Sequence, residues 1–239
     1  MRIKAVVFDF GGTLAEGRLQ TEPFEAAIFE YLHSLGYQVS FTELRQSQRA
    51  ALNRLERVRV SHREMSFEEV YAEVLTRLGI PVEEETLNHL YDLYRRNFPE
   101  VLFPGVDNLL RSLSEKYELA VLSNTMNDMP RRTLAKLGLA DLFKAVVCSR
   151  DLGIRKPDER AFRHVLDQIR VTSSEAVFVG DTLKEDIAGA RRVGMTAIWV
   201  KDEGDEIPPE CEYPPHYTVK TVLELPLILR KIEELSCSA

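Results

Sequence analysis

From Ala5 to Phe8 the chain runs Ala-Val-Val-Phe without a polar residue, inside the longer segment Ile3-Lys4-Ala5-Val6-Val7-Phe8-Asp9. A run with no polar alternation suits a strand covered on both faces, as strands are in a parallel sheet. It ends at Asp9 and breaks at Gly11-Gly12. Four runs of the same kind follow, at Glu118–Leu122, Ala145–Cys148, Ala176–Gly180 and Thr196–Val200. Helical stretches lie near them at about 105–116, 128–138, 158–170 and 184–193. Strand and helix in alternation predict an α/β fold with a doubly wound, Rossmann-like parallel sheet.

The stretch from about 20 to 100 breaks that rhythm. It holds no strand run, only amphipathic helical segments divided by Gly36, by Val60–Ser66 and by Gly79-Ile80-Pro81. On a wheel of Leu44 to Val58, the residues Leu44, Ala51, Leu52, Leu55 and Val58 share one arc, which is expected to bury against neighbouring helices. Asn97-Phe98-Pro99 and Phe103-Pro104-Gly105 punctuate the return to the α/β layer. The expected organisation is a core of residues 1–16 and 102–239, split by an all-helical insert over 17–101. Gly204 to Pro226 carries five of the eleven prolines and reads as a surface loop with a short strand near Tyr217-Thr218-Val219, followed by a last helix.

Composition narrows the partners. Apolar residues at 44% and charged residues at 29% describe an ordinary globular chain, not a disordered or fibrous one. With 31 basic against 38 acidic residues, the net charge of −7 argues against bulk electrostatic binding of nucleic acid. No apolar run approaches the roughly 20 residues of a bilayer span, so no membrane partner is expected. The start, Met1-Arg2-Ile3-Lys4, does not read as a secretory signal. Cys148, Cys211 and Cys237 are odd in number and far apart, which fits reduced thiols of a cytoplasmic protein better than a disulfide framework or a zinc site.

Four places could carry chemistry, and each also has a plain structural reading. Asp9 ends the first strand beside a Gly-Gly turn, where a carboxylate and backbone N–H groups can approach a phosphate; a turn aspartate looks the same. Ser123-Asn124-Thr125 follows the strand Leu119–Leu122, where a hydroxyl can donate to a phosphoryl oxygen or simply cap a helix. In Gly153-Ile154-Arg155-Lys156-Pro157-Asp158, Pro157 suits the first turn of the next helix, and Lys156 is placed for an anion or for solvent. Asp181 and Asp186, at a strand end and a helix start, suit a hard cation such as Mg²⁺, although Asp186 could merely offset a helix dipole.

Order and placement decide what the single residues leave open. All four places lie at carboxyl ends of predicted strands, the edge where open α/β sheets bind ligands. The set resembles the haloacid dehalogenase (HAD) superfamily, a hydrolase group dominated by aspartate-dependent phosphatases. The resemblance covers about residues 1–16 and 102–202, and the insert looks like the family's small helical cap. It implies Asp9 as a nucleophile that becomes an aspartyl phosphate. Ser123 and Lys156 would hold the phosphoryl oxygens, with Gly12, Thr13 and Asn124 lining the substrate phosphate. Mg²⁺ would rest on Asp9, the Gly11 carbonyl and Asp181, with Asp186 acting through water or as a support.

One position departs from the pattern. Family phosphatases usually carry an acid/base Asp two residues after the nucleophile, and this chain has Gly11. Such a group contributes about 10²–10⁴-fold. The metal-independent dehalogenase branch also lacks that Asp, but the Asp181–Asp186 pair argues against it. The phosphonatase branch uses a cap lysine, and between Lys4 and Lys116 there is none. The expected activity is therefore hydrolysis of a small phosphorylated metabolite with a good leaving group, such as an acyl or anomeric phosphate, or with a proton from water or Glu16. The rivals are a weakly catalytic phosphate-metabolite sensor and a mutase, the latter disfavoured because it needs a proton carrier in both half-reactions.

The insert should set the substrate. Arg45, Arg49, Arg54, Arg57, Arg59 and Arg63 do not form one stripe and read as a solvated face. His62 and Arg63, in the break between helices, are better placed to reach a ligand. Phe24, Tyr31, Tyr91 and Tyr94 are expected to pack the insert rather than bind a ring.

Overall fold

The computed structural model describes residues 2–237, with side chains through residue 235. Two compact units emerge, one from the segment up to Glu16 together with Val101 onward, the other from Gly17–Glu100. In chain order, β1 (Ala5–Phe8) and β2 (Ala15–Gly17) precede α1 (Thr21–Ser34), α2 (Phe41–Arg59), α3 (Phe67–Arg77) and α4 (Glu84–Arg96). The chain returns through β3 (Glu100–Leu102), α5 (Val106–Ser114), β4 (Glu118–Ser123), α6 (Met129–Lys136) and β5 (Phe143–Cys148). It continues with α7 (Ser149–Leu152), α8 (Glu159–Ile169), β6 (Ala176–Gly180), α9 (Ala188–Arg192), β7 (Thr196–Val200), β8 (Tyr217–Val219) and α10 (Leu225–Cys237).

The larger unit is the α/β layer. Its six strands lie in the order β5-β4-β1-β6-β7-β8 and pair in parallel throughout. The unbroken apolar run of β1 is explained by burial on both faces. Val6 and Phe8 enter one apolar layer with Leu110 and Leu113 of α5 and Leu225 and Leu229 of α10. Ala5 and Val7 enter the opposite layer with Phe162 and Val165 of α8 and Ala190 of α9. A polar residue at any of these four strand positions would lie in a dry core.

Register sets the functional edge. Phe8 pairs with Val121 of β4 and with Val179 of β6. Asp9, one residue beyond Phe8, and Ser123 and Asp181, two residues beyond Val121 and Val179, therefore lie at the same end of three adjacent central strands.

Several local expectations need correction. Pro157 lies before α8, not in its first turn; Asp158 is the cap and accepts from the Arg160 amide at 2.9 Å. The stretch expected as one helix at 184–193 opens with a wide turn over Leu183–Ile187, closed by Ile187 N–H donating to the Thr182 carbonyl at 3.2 Å, before the short α9. Pro226 belongs to the first turn of α10, where its missing N–H is no loss. The strands β2 and β3 pair as a two-stranded sheet that the sequence reading missed.

The smaller unit is all helical. Ser40 and Ser66 start α2 and α3 as capping boxes, each hydroxyl accepting from the amide three residues on while Glu43 or Glu69 reaches back. Phe24, Phe67, Tyr71, Tyr91 and Tyr94 are buried together, and Tyr31 stacks on His89 at 3.8 Å between centroids. The buried arc of α2 is Leu44, Ser47, Gln48, Ala51 and Leu55; Leu52, expected inside, is 45% exposed. Of the arginines, Arg45 pairs with Glu25, Arg54 with Glu73 and Arg59 with the buried Glu64. His62 has a left-handed backbone, φ 56°.

Candidate active site

Asp9 leaves β1 almost wholly buried, at 6% exposure. Lys156, expected at the surface on its plain reading, is 1% exposed and lies under the same edge. Its Nζ is 2.5 Å from Asp9 Oδ1 and 2.6 Å from Asp186 Oδ1. A buried ammonium needs such partners, since an unpaired charge out of water is costly.

Asp186 comes from the wide turn after β6, and its other oxygen accepts from the Thr182 amide at 2.9 Å. The approach requires a glycine at the strand end: a Cβ on Gly180 would lie 2.5 Å from the Asp186 carboxyl carbon. Asp181 is held from behind, where the Trp199 indole N–H donates to its carbonyl at 2.7 Å. Gly12 has φ 81°, and a Cβ there would run into the Asp181 carboxylate. Both glycines are thus demanded by close approach of a carboxylate.

The three aspartates form one cluster, with one oxygen from each of Asp9, Asp181 and Asp186 within 4.8 Å of the others. Burial, together with the charges of Asp186 and Asp181, pushes Asp9 up to about 7 against the pull of Lys156. Burial and Asp186 push Asp181 up to about 6. Lys156 is held well above its usual value by the two carboxylates, despite its burial. The donor set consists of hard carboxylate oxygens crowded past what one lysine neutralises, a set whose chemistry could hold a hard divalent cation.

The other expected residues take varied places. Ser123 ends β4 and is 6% exposed. Thr13 is buried, and its hydroxyl has no hydrogen-bond partner among the described residues. Gly11 is exposed and forms a bridge with Ala15; among the described residues, no heavy atom outside Gly11 and its two chain neighbours lies within 4 Å of where its Cβ would stand, and its backbone is not left-handed. Nothing about the fold therefore demands glycine at this position. Glu16 is exposed on β2. Asn124 does not stand free: its amide bonds both backbone groups of Lys156 and also Glu185. Glu185 and Trp199 were not foreseen, because a glutamate on a polar turn and a tryptophan in a strand carry no distinguishing signal. Cys148 is buried and Cys211 partly exposed, and both are free thiols; the Cys237 side chain lies outside the described residues.

Comparison with known proteins follows the same lines. The family model for the haloacid dehalogenase-like hydrolases matches residues 3–194. A phosphoserine phosphatase of Thermus thermophilus is 36% identical over 135 residues, covering 56% of this chain and 53% of the relative. The chain spans about half the length of the curated relatives it matches. Among solved structures, a 2-haloacid dehalogenase of Pseudomonas syringae superposes with TM-score 0.72 at 28% identity, covering 96% of this chain and 99% of that one. A HAD phosphatase of Thermococcus onnurineus gives TM-score 0.62 at 26% identity, with 95% and 98% covered.

Proposed function

The chain belongs to the haloacid dehalogenase-like hydrolase family, and on that premise we propose that it is a Mg²⁺-dependent phosphohydrolase of the cytoplasm, acting on a small phosphorylated metabolite through an aspartyl phosphate on Asp9. The observation that carries this reading is the buried cluster in which Lys156 bridges Asp9 and Asp186 while Asp181 lies within ligand distance of both. A metal-free dehalogenase has no need of a third carboxylate there. The phosphatase relatives support the same choice.

In this reading Asp9 attacks phosphorus through a carboxylate oxygen, and the ester oxygen leaves with the bonding pair. Lys156 and Ser123 hold the phosphoryl oxygens and offset their charge as it shifts. Asp9, Asp181 and the Gly11 carbonyl would hold Mg²⁺, which supplies a Lewis acid that lets a carboxylate meet a phosphate dianion. Asp186 fixes Lys156 and closes the set. Water then releases phosphate from Asp9.

The leaving oxygen has no acid beside it at position 11. Lys156 keeps its proton too tightly to serve, and Glu16 is the nearest carboxylate in sequence outside the cluster. The favoured substrates are therefore phosphates whose leaving group departs as an anion, such as acyl, aryl or anomeric phosphates. A dehalogenase is the second reading, favoured by the overall likeness to the Pseudomonas enzyme and by the bare position 11.

The test is a panel of phosphorylated metabolites and p-nitrophenyl phosphate, assayed for released phosphate with and without Mg²⁺, beside 2-chloropropionate assayed for chloride. The proposal expects phosphate release that a chelator stops and that Asp9→Asn abolishes. Chelator-resistant chloride release without phosphatase activity would replace it with the dehalogenase. Saturable binding without turnover would replace it with a sensor.

A further inference from the structure

Lys156 has to reach two carboxylates from a segment with no regular structure of its own. It lies between Gly153, which ends α7 with φ 64°, and Asp158, which caps α8. In such a segment, backbone N–H and C=O groups have no ladder to bond, and buried ones must find partners elsewhere. Here one side chain serves both. The Lys156 amide donates to Asn124 Oδ1 at 2.8 Å, and Asn124 Nδ2 donates to the Lys156 carbonyl at 3.0 Å. Two bonds running in opposite directions fix orientation as well as distance, as a rung between two strands would.

The clamp has a second layer. Asn124 Nδ2 also donates to Glu185 Oε2 at 2.8 Å, and the other oxygen of Glu185 accepts from Arg155 Nη2 at 3.0 Å. Glu185 thus grips the residue beside Lys156 from the turn that carries Asp186. The segments after β4, before α8 and after β6 are tied by two side chains. Only an amide fits the central place: aspartate cannot donate, and a shorter side chain cannot bond both groups.

We propose that Asn124 and Glu185 are positioning residues for Lys156, setting its ammonium at the Asp9–Asp186 pair rather than touching the reacting phosphate. A lysine side chain is long and has many rotamers, so its Nζ position is only as well fixed as the backbone that carries it. A misplacement of about 1 Å near the reacting atoms costs about 10²-fold in rate. The catalytic part of this inference rests on the phosphohydrolase reading; the geometric part does not.

The experiment has two arms, run on Asn124→Ala, Asn124→Asp and Glu185→Gln in the full chain. The first is amine acylation of the native protein, read by mass spectrometry at Lys156 against the exposed Lys144 and Lys184. The parent is expected to protect Lys156. Asn124→Ala, which loses both bonds to the Lys156 backbone, should label it faster by about tenfold or more; Asn124→Asp, which keeps the acceptor but loses the donor, should label it faster by a smaller factor. Glu185→Gln, which keeps an acceptor for Asn124 but loses the bond from Arg155, should label Lys156 at a rate between the parent and Asn124→Ala. The second arm is Mg²⁺-dependent hydrolysis of p-nitrophenyl phosphate. Here kcat should fall by about 10²-fold in Asn124→Ala with KM little changed, and by a smaller factor, again in kcat, in Asn124→Asp and Glu185→Gln. A parent without phosphatase activity would end the phosphohydrolase reading while the labelling arm still decides the clamp. Unchanged Lys156 labelling in folded Asn124 variants would overturn the inference, as would equal losses in kcat and in substrate affinity. If the Asn124 variants fail to fold, Glu185→Asp decides, since shortening that side chain must raise Lys156 labelling if the clamp exists.

Discussion

Gly11→Asp separates what the fold requires from what the chemistry lacks. At Gly11 the structure offers open space: among the described residues, no heavy atom beyond the chain neighbours lies within 4 Å of a built Cβ, and the backbone is not in the left-handed region. The substitution therefore meets no clash and no backbone strain. Replacing glycine at a compatible position reduces the freedom of the unfolded chain and stabilises by about 0.4–1 kcal/mol. A further carboxylate near Asp9, Asp181 and Asp186 adds repulsion of similar size at a partly exposed site. The net change in stability should stay within about 1 kcal/mol, a few degrees or less in Tm for a chain of this size. Gly12→Ala is the contrast, because that position combines φ 81° with a collision against Asp181. On activity, a proton donor contributes about 10²–10⁴-fold, or roughly 3–5 kcal/mol of barrier, only where the leaving group needs the proton. Alkyl phosphates should gain and aryl or acyl phosphates should not. The assay is kcat/KM for an alkyl and an aryl phosphate with Mg²⁺, in parent and variant, beside a melting curve. The reasoning fails if a folded Gly11→Asp protein leaves the alkyl-to-aryl ratio unchanged.

Other perturbations reach the same cluster and its surroundings. Lys156→Met leaves Asp9 and Asp186 buried without their cation and should cost about 3–5 kcal/mol by urea unfolding without metal, with part of that regained on adding Mg²⁺; stability equal to the parent's would contradict the pairing. Gly180→Ala drives a Cβ into the Asp186 carboxyl, so a loss of about 1–3 kcal/mol is expected together with loss of turnover. His216 accepts from the Ala197 amide at Nδ1, and its pKa is lowered below 6.5 by burial and then by Arg191. Its contribution to stability is present above about pH 6.5, where the unfolded imidazole is neutral, and is lost as pH falls through the lower folded value; an NMR midpoint for His216 above 6.5 would reverse that sign.

Much of the fold could be read from the chain because its strands are covered on both faces. Ala176–Gly180 and Thr196–Val200 are continuous apolar runs, and the structure ends these strands at the same residues. The helices of the insert are divided in the sequence at Gly36, Val60–Ser66 and Gly79-Ile80-Pro81, and the structure breaks them at the same places. Three-residue strands such as β2, with Glu16 and Gly17 in them, have no period to detect. Leu52 looked apolar enough for the core, but the α2 face turns Ser47 and Gln48 inward instead. At the site, the acidic residues and Lys156 were visible as motif positions, whereas the burial of Lys156 was not. A lysine in a polar, Pro-containing segment looks like a solvated one, and only the tertiary approach of Asp9 and Asp186 makes it otherwise. The same holds for Asn124, whose place after a strand gave no hint of the backbone it would clamp.

The central claim is that Asp9 and Asp181 share one divalent ion. Soaking crystals of the protein in Mn²⁺, a Mg²⁺ surrogate with a measurable anomalous signal, tests it directly. The account predicts a single strong anomalous peak bonded to an oxygen of each of these two carboxylates, reduced or absent in Asp181→Asn. A saturating soak that leaves this cluster without a peak, or places the ion on other residues, would contradict it.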